Sequence, residues 1–227
     1  MKIILTGCTG RVGAAVLQEC INNPAVTTIV ALTRRPLDSI VNSSKLTNII
    51  LTREQFLEPV SVQTQLHGAD ACVWALGVPT GATREAELEY PLAFAKIAPQ
   101  LRTDTTKPFR FVFTSGAGIK YFPAKETDST WFLGDLRKNK TAAIDQLQQL
   151  SGGSNNALQV IVVRPGLVVR RDTLSSWIPG TITFDRLSAA MVAYGFKGPS
   201  NGQSFDFVDN GILAKDGQAL LSDRQSR

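Results

Sequence analysis

Histidine and cysteine are scarce in this sequence, and neither forms a pattern typical of a metal site or of a disulfide framework. Its 227 residues include one histidine, His67, and three cysteines, Cys8, Cys20 and Cys72. A single histidine leaves almost nothing for a histidine-based triad or a multi-histidine metal site. Cysteines in odd number, without a C-x-x-C motif, indicate a reducing compartment. We therefore predict neither a bound metal nor a disulfide.

Long apolar runs and concentrated charge are also missing. The first apolar run is too short for a secretory signal, and no stretch approaches the roughly 20 apolar residues of a membrane span. The net charge is +5, but the positive residues are scattered along the chain. They do not form the basic stripe of a nucleic-acid-binding surface. We expect a soluble, cytoplasmic protein without membrane or nucleic-acid partners.

The hydrophobic pattern predicts the α/β class. Apolar runs of strand length lie at residues 2–6, 27–32, 48–51, 71–76, 110–114 and 158–163, separated by helical patterns at 12–21, 85–101 and 138–150. Continuous apolar strands separated by helices are typical of a doubly wound parallel sheet that is covered on both faces. We predict one domain over residues 1–227, in which 167–227 contribute a small substrate-side portion and the polar tail after Ala219 is frayed.

A glycine-rich turn connects the first predicted strand to the first helix. Residues 6–13 read TGCTGRVG. Such glycines allow a tight turn, a close approach to pyrophosphate and close packing of the helix, whose N-terminus favours phosphate. Between a strand and a helix this pattern predicts a dinucleotide site, although a glycine-rich turn without a ligand is the alternative. The expected contacts are Gly7, Thr9, Gly10, Arg11, Val12 and Gly13.

The end of the second strand distinguishes the two nicotinamide cofactors. An NAD site places an Asp or Glu about 20 residues after the turn. Here the strand ends in Thr33, Arg34 and Arg35, with no acidic residue before Asp38. Two guanidinium groups suit the 2′-phosphate of NADP, to which Thr33 and Arg11 could add donors. We therefore predict NADP(H) in preference to NAD(H); the alternative is that Arg34 and Arg35 are solvated loop charges.

With these motifs in this order, the chain resembles the atypical short-chain dehydrogenase/reductase family in its NmrA-like branch, whose members have an NAD(P)-binding Rossmann fold. Further matching segments end the fourth, fifth and sixth predicted strands, at residues 75–77, 113–116 and 163–166. Open parallel sheets bind their ligands at this edge. The resemblance implies that the cofactor is also bordered by Ala75, Leu76, Gly77, Pro165 and Gly166. It allows a homodimer, since two helices commonly pair protomers in this superfamily.

The resemblance implies a catalytic set that the chain matches only in part. In the family a Ser orients the substrate carbonyl, and a Tyr exchanges the proton. A Lys one helical turn after the Tyr lowers its pKa and holds the nicotinamide ribose. Ser115 matches the first role, and Lys140 or Lys138 matches the last. The residues one turn before these lysines are Leu136 and Gly134, so the Tyr is absent from its usual place.

A literal Y-x-x-x-K does occur at residues 121–125, in a predicted loop shortly after Ser115. Pro123 disfavours a helical turn there, so Tyr121 and Lys125 cannot align on one. Tyr121 remains a candidate only if it reaches the site from the loop. Other candidate proton donors are water, a substrate hydroxyl and Asp135. General acid catalysis contributes a factor of about 10²–10⁴, so the missing Tyr matters.

We expect an NADP(H)-dependent oxidoreductase that acts on a carbonyl or a conjugated double bond of a small, largely apolar metabolite. An NmrA-like redox sensor that binds NADP(H) and regulates a partner without catalysis is one alternative, favoured by the missing Tyr. A non-redox isomerase or cyclase is another. The three acidic residues Glu85, Glu87 and Glu89 fall on different faces of the predicted helix, so we predict no catalytic carboxylate pair among them.

Overall fold

The computed structural model describes residues 1–37, 43–77, 83–121, 134–171, 173, 178–199 and 201–225. The strands are β1 (Lys2–Thr6), β2 (Thr28–Thr33), β3 (Leu46–Ile50), β4 (Ala71–Trp74), β5 (Phe109–Thr114), β6 (Leu158–Arg164), β7 (Leu167–Val169), β8 (Thr181–Thr183) and β9 (Phe205–Asp209). The α-helices are α1 (Arg11–Asn22), α2 (Arg53–Leu57), α3 (Gln63–Leu66), α4 (Tyr90–Ile97), α5 (Ala117–Tyr121), α6 (Gly134–Gly152), α7 (Phe184–Lys197) and α8 (Asn210–Gln225). Across these described ranges, no helix has both the length and the apolar character needed to cross a bilayer.

Seven strands form one parallel sheet in the order β3-β2-β1-β4-β5-β6-β9, and β7 pairs with β8 in a separate parallel ribbon. β2 and β4 lie on either side of β1 and both pair with it in parallel, so the strand order reverses between β1 and β4. Such a reversal is the topological switch point at which doubly wound sheets bind ligands. The predicted α/β class with a doubly wound parallel sheet is confirmed.

Two apolar layers hold the helices against the sheet. On one face, under α4 and α6, the Trp74 ring lies 5.6 Å from the Phe94 ring and 5.8 Å from the Phe111 ring. On the other face, aliphatic side chains of α1 and α7, such as Val16 and Met191, are buried against the strands. The central strands are therefore covered on both sides, as their continuous apolar sequences require.

The chain after β6 contains elements that the sequence analysis did not predict. β9 pairs with β6 and adds a seventh strand to the sheet, while α7 packs on the same face as α1. The predicted fraying after Ala219 is wrong, because α8 continues to residue 225. Its last turn is held by Arg224, which forms a bidentate ion pair with Glu19 of α1.

The segment predicted as one helix over 85–101 has three conformations in succession. A π-helical turn at Glu85–Glu89 leads into α4, which ends in a 3-10 turn at Ala98–Leu101. The wide hydrogen bond of the π turn runs from the Tyr90 amide to the Glu85 carbonyl oxygen. Such turns rotate side chains away from the faces that an ideal α-helix would give them.

Candidate functional site

The glycine-rich turn brings backbone atoms of β1, β4 and α1 into close contact. Gly7 has a positive φ of 74°, and a Cβ there would stand within 3.0 Å of the Ala75 backbone. A Cβ at Gly13 would stand within 3.0 Å of the Gly7 carbonyl oxygen. Gly13 therefore allows α1 to pack closely on the turn itself. The Gly10 amide donates to the Gly7 carbonyl oxygen at 2.9 Å and completes the turn.

The N-terminus of α1 is open to an anion. Gly10 is its N-cap in an extended conformation, with no capping side chain and no acidic residue in the first turn. Thr9 and Arg11 are exposed on either side of this cap, and Val12 is half-buried. Uncapped backbone amides and the helix dipole favour a phosphate at such a position.

The end of β2 presents two arginines on a braced turn. Arg34 and Arg35 are exposed, whereas Thr33 is 5% exposed. Asn48 of β3 braces the turn: its Nδ2 donates to Thr33 Oγ1 at 2.8 Å, and its Oδ1 accepts from the Leu37 amide at 3.0 Å. Within the described residues, neither guanidinium has a carboxylate partner. No local sequence pattern marks Asn48, because only strand pairing brings it to β2.

A cavity of about 560 Å³ separates the glycine-rich turn from the arginine turn. A smaller cavity of about 30 Å³ lies beside the same two turns and reaches Phe56 and Leu76. The larger one is lined by Cys8, Thr9, Ala14, Leu17, Gln18, Arg35, Pro36 and Leu37. Open space therefore lies beside an open helix N-terminus and two cationic side chains, an arrangement that suits a polyanion.

The segment after β4 crosses close to β1. The Leu76 amide donates to Thr6 Oγ1 at 3.3 Å, and Thr6 is 1% exposed. Ala75 and Leu76 are half-buried and Gly77 is exposed. The structure thus brings residues 75–77 to the glycine-rich turn, at the switch point of the sheet.

Ser115 lies at the carboxyl edge beside the end of β6. Its amide donates to the Val163 carbonyl oxygen at 2.9 Å, and the Ala117 amide donates to the Pro165 carbonyl oxygen at 2.9 Å. The Ser115 hydroxyl is buried and has no hydrogen-bond partner among the described residues. Since a buried hydroxyl is unfavourable when unsatisfied, a ligand is one group that could complete it. The Gly166 amide donates to Asn210 Oδ1 at 2.8 Å, which fixes the turn after β6.

The two candidate lysines of α6 point in different directions. Lys138 is exposed, whereas Lys140 is buried at 8% exposure. Residues two positions apart in an α-helix point in directions that differ by about 200°, so only one of the two lysines can face the sheet. Lys140 Nζ lies 2.8 Å from Glu87 Oε2 and donates to the Thr114 carbonyl oxygen at 3.1 Å. Among the described residues, only Lys140 of the two lysines therefore approaches the carboxyl edge.

Glu87 is the buried acidic residue that the sequence analysis missed. It is 1% exposed, while its neighbours Glu85 and Glu89 pair with Arg53 and Arg84 at the surface. The expected separation of the three acidic residues is correct, but Glu87 faces Lys140. Nothing in the sequence distinguishes Glu87 from Glu85 and Glu89, which flank it in the same helical segment.

Tyr121 is the last residue of the short helix α5, so the expectation of a loop at that residue is wrong. Pro123 and Lys125 lie outside the described residues. Asp135, the other candidate proton donor, is exposed in the first turn of α6.

The three cysteines are buried, and burial raises the pKa of each thiol, that of Cys8 to about 12. We expect iodoacetamide at about pH 8 to leave the folded protein unmodified, because the reactive thiolate is suppressed. In denaturant all three cysteines should react, which mass spectrometry would count. Rapid labelling of Cys8 in the folded protein would contradict this picture of the turn.

The described residues contain no group of three or more His, Cys, Asp and Glu side chains that could hold a metal ion. The candidate site is therefore built from backbone amides, arginines, a lysine and hydroxyls. Amides and cations of this kind bind phosphates, and a lysine and a hydroxyl can hydrogen-bond sugar or carbonyl oxygens.

The chain is similar to two curated proteins. It is 34% identical over 185 residues, 78% of this chain, to the leucinostatins biosynthesis cluster protein T of Purpureocillium lilacinum, and it spans 62% of that protein. It is 32% identical over 125 residues, 52% of this chain, to protein fmp52, mitochondrial, of Emericella nidulans, and it spans 53% of that protein. The chain thus spans between about half and two thirds of these relatives. No model of a known protein family matches it.

Solved structures with the same fold include oxidoreductases and a UDP-glucuronic acid 4-epimerase, some of them with NAD bound. One is a variant of uronate dehydrogenase from Agrobacterium tumefaciens in complex with NAD. It has a TM-score of 0.67 at 14% identity, and the match covers 99% of this chain and 89% of that one. Together with the sheet topology, these neighbours confirm the Rossmann-type fold. Membership of the NmrA-like branch stays a prediction.

Proposed function

We propose that the protein is an NADP(H)-dependent oxidoreductase that acts on a carbonyl or conjugated double bond of a small, largely apolar metabolite. The observation that carries the proposal is the open N-terminus of α1 facing a cavity beside the arginine turn. Doubly wound sheets bind dinucleotides at this switch point. A relative named for a biosynthesis cluster is consistent with a metabolite as substrate.

The residues present fit the proposed cofactor. The amides of Thr9, Arg11 and Val12 would receive the pyrophosphate, since the close packing of Gly7 and Gly13 keeps side chains out of the turn. Arg34 and Arg35 would bind the 2′-phosphate, because both are exposed and face open space. The bound cofactor would supply or accept a hydride.

On the other side of the switch point, Ser115 and Lys140 would form the substrate end of the site. The buried Ser115 hydroxyl would donate to the acceptor oxygen, and Lys140 would bind the nicotinamide ribose. Carbonyl reduction also needs one proton at that oxygen. Asp135 is exposed at the start of α6, and with water or a substrate hydroxyl it remains a candidate donor.

A titration of the purified protein with NADPH and with NADH tests the cofactor. We expect NADPH to bind at least about tenfold more tightly, because each charge-assisted bond to the 2′-phosphate contributes about 1.5–3 kcal/mol. Arg34→Ala/Arg35→Ala should weaken NADPH binding about 100-fold and leave NADH binding nearly unchanged. Calorimetry or nicotinamide fluorescence would measure both affinities.

The matched control is Lys107→Ala/Lys197→Ala, which removes the same charge at the opposite edge of the sheet. Lys107 precedes β5, and Lys197 ends α7, so both lie far from the carboxyl ends of the strands. This control should bind NADPH like the wild type. Tighter binding of NADH would overturn the NADP(H) assignment, and no binding of either nucleotide would overturn the proposed function.

A second candidate function is NADP(H) sensing without catalysis. It is favoured by Leu136, which stands one helical turn before Lys140 where the family has a Tyr. Steady NADPH oxidation with a panel of aldehydes, ketones and enones supports the enzyme, whereas tight binding without turnover supports the sensor. Conversion of a substrate with no net change in the nicotinamide would instead indicate an isomerase or cyclase.

A further inference from the structure

A buried ion pair lies just below the carboxyl edge of the sheet. The Glu87 side chain is 0% exposed, the Lys140 side chain is 10% exposed, and Nζ lies 2.8 Å from Oε2. The same ammonium donates to the Thr114 carbonyl oxygen and lies 5.1 Å from the centre of the Phe113 ring. A carboxylate, a carbonyl and an aromatic face therefore fix the position of one amino group.

Stability alone is a weak reason for such a pair. Removing two charges from water is costly, and their mutual attraction often fails to compensate. An apolar pair of similar volume would fill the same space among the surrounding aromatic and aliphatic side chains. The role of the two charges must therefore be inferred from where they lie in the fold.

The pair lies on the side of the switch point that is opposite to the arginine turn. A Cβ at Gly77 would stand 3.5 Å from both Lys140 Nζ and Glu87 Oε1, so the segment after β4 passes directly over the two charges. Thr114, which accepts from Nζ, ends β5. A dinucleotide whose adenosine half lies at β1 and β2 extends its other half over β4 and β5.

The π-helical turn Glu85–Glu89 brings the carboxylate to this place. Its Tyr90-to-Glu85 hydrogen bond widens the helix, with Glu87 at the middle of the turn. Glu85 and Glu89, on either side, pair with surface arginines. Turns of this kind frequently occur at functional sites.

We propose that Glu87 is a positioning residue, which holds the Lys140 ammonium where it can bind the nicotinamide-side ribose; this rests on the proposed function. Glu87 has no exposed surface, so among the described residues it would act on a cofactor through its partner Lys140. An ammonium has three N–H donors; the Thr114 carbonyl takes one of them, and Glu87 Oε2, 2.8 Å from Nζ, is placed to take a second. The ammonium therefore keeps donor capacity for a sugar hydroxyl while Glu87 balances its charge.

Fragments of the cofactor separate this role from a merely structural one. Glu87→Gln should weaken NADPH binding about tenfold, the effect of one charge-assisted bond, while binding of 2′,5′-ADP stays unchanged. Lys140→Met should show the same pattern. The double variant Glu87→Gln/Lys140→Met should bind NADPH no more weakly than Lys140→Met alone, because Glu87 has no effect without the ammonium.

Glu89→Gln is the matched control, since it removes a carboxylate from the same turn at the surface and should change neither affinity. If Glu87→Gln does not fold, Glu87→Asp keeps the charge at a shorter reach and should give a smaller loss for NADPH only. Equal losses for NADPH and 2′,5′-ADP, or no loss for either, would overturn the positioning role. Failure of the wild type to bind both ligands would overturn the proposed function itself.

Discussion

Gly13→Ala should destabilise the folded protein by about 3 kcal/mol or more and abolish dinucleotide binding. The new Cβ would stand within 3.0 Å of the Gly7 carbonyl carbon and oxygen and of the Cys8 amide nitrogen. These are backbone atoms that no side-chain rotation can move, so either α1 or the turn must shift. Urea denaturation would give the loss of stability, and an NADPH titration would give the loss of binding.

Gly211→Ala is the control for this prediction. Gly211 is in α8, its φ is not positive, and a Cβ there would meet nothing within 4 Å. Alanine in a helix is favoured over glycine by about 0.5–1 kcal/mol, so this variant should be as stable as the wild type or slightly more stable. If Gly13→Ala were equally stable, the close packing of α1 on the turn would be wrong.

Lys140→Met should be among the most destabilising substitutions outside the glycine-rich turn. It leaves the Glu87 carboxylate buried without its ammonium, and breaking a buried pair in this way costs about 3–5 kcal/mol. Glu87→Leu should cost a similar amount, because it leaves the ammonium buried without its carboxylate. The double variant Glu87→Leu/Lys140→Met should recover most of the loss, because no charge is left in the interior.

A complete denaturation cycle of the wild type, both single variants and the double variant measures the coupling. We expect a coupling free energy of at least about 2 kcal/mol. Glu89→Gln again serves as the comparison, since exposed pairs contribute about 0–1 kcal/mol. Single losses that simply add in the double variant would show that the two side chains do not depend on each other.

The sequence predicts the fold well where burial is complete. β1, β2, β4, β5 and β6 lie inside the sheet, so their continuous apolar runs identify them. β9 is an edge strand with the sequence FDFVD, whose residues are mostly half-buried or exposed, and no apolar run marks it. The last turn of α8 was missed because its polar residues indicate an exposed tail. The ion pair that holds this turn joins residues that are distant in sequence, so no local pattern reveals it.

The candidate site also contains residues that the sequence predicts and residues that it does not. The glycine-rich turn and the arginine turn are each a short continuous stretch of sequence, so a local pattern predicts each of them. Asn48 reaches the arginine turn only through strand pairing, and Glu87 reaches the site only through a π-helical turn. No local sequence pattern predicts either residue. Whether Lys138 or Lys140 faces the sheet depends on how α6 is rotated about its axis, and only the structure shows that rotation.

The Arg224–Glu19 contact and the packing of α7 on α1 have a consequence for synthesis on the ribosome. The helix that would receive the pyrophosphate covers residues 11–22, but the elements that cover its apolar face begin only at residue 184. At about 5–20 residues per second, that face waits on the order of ten seconds or more. Nascent chains are therefore exposed to misassociation through α1 until α7 and α8 emerge.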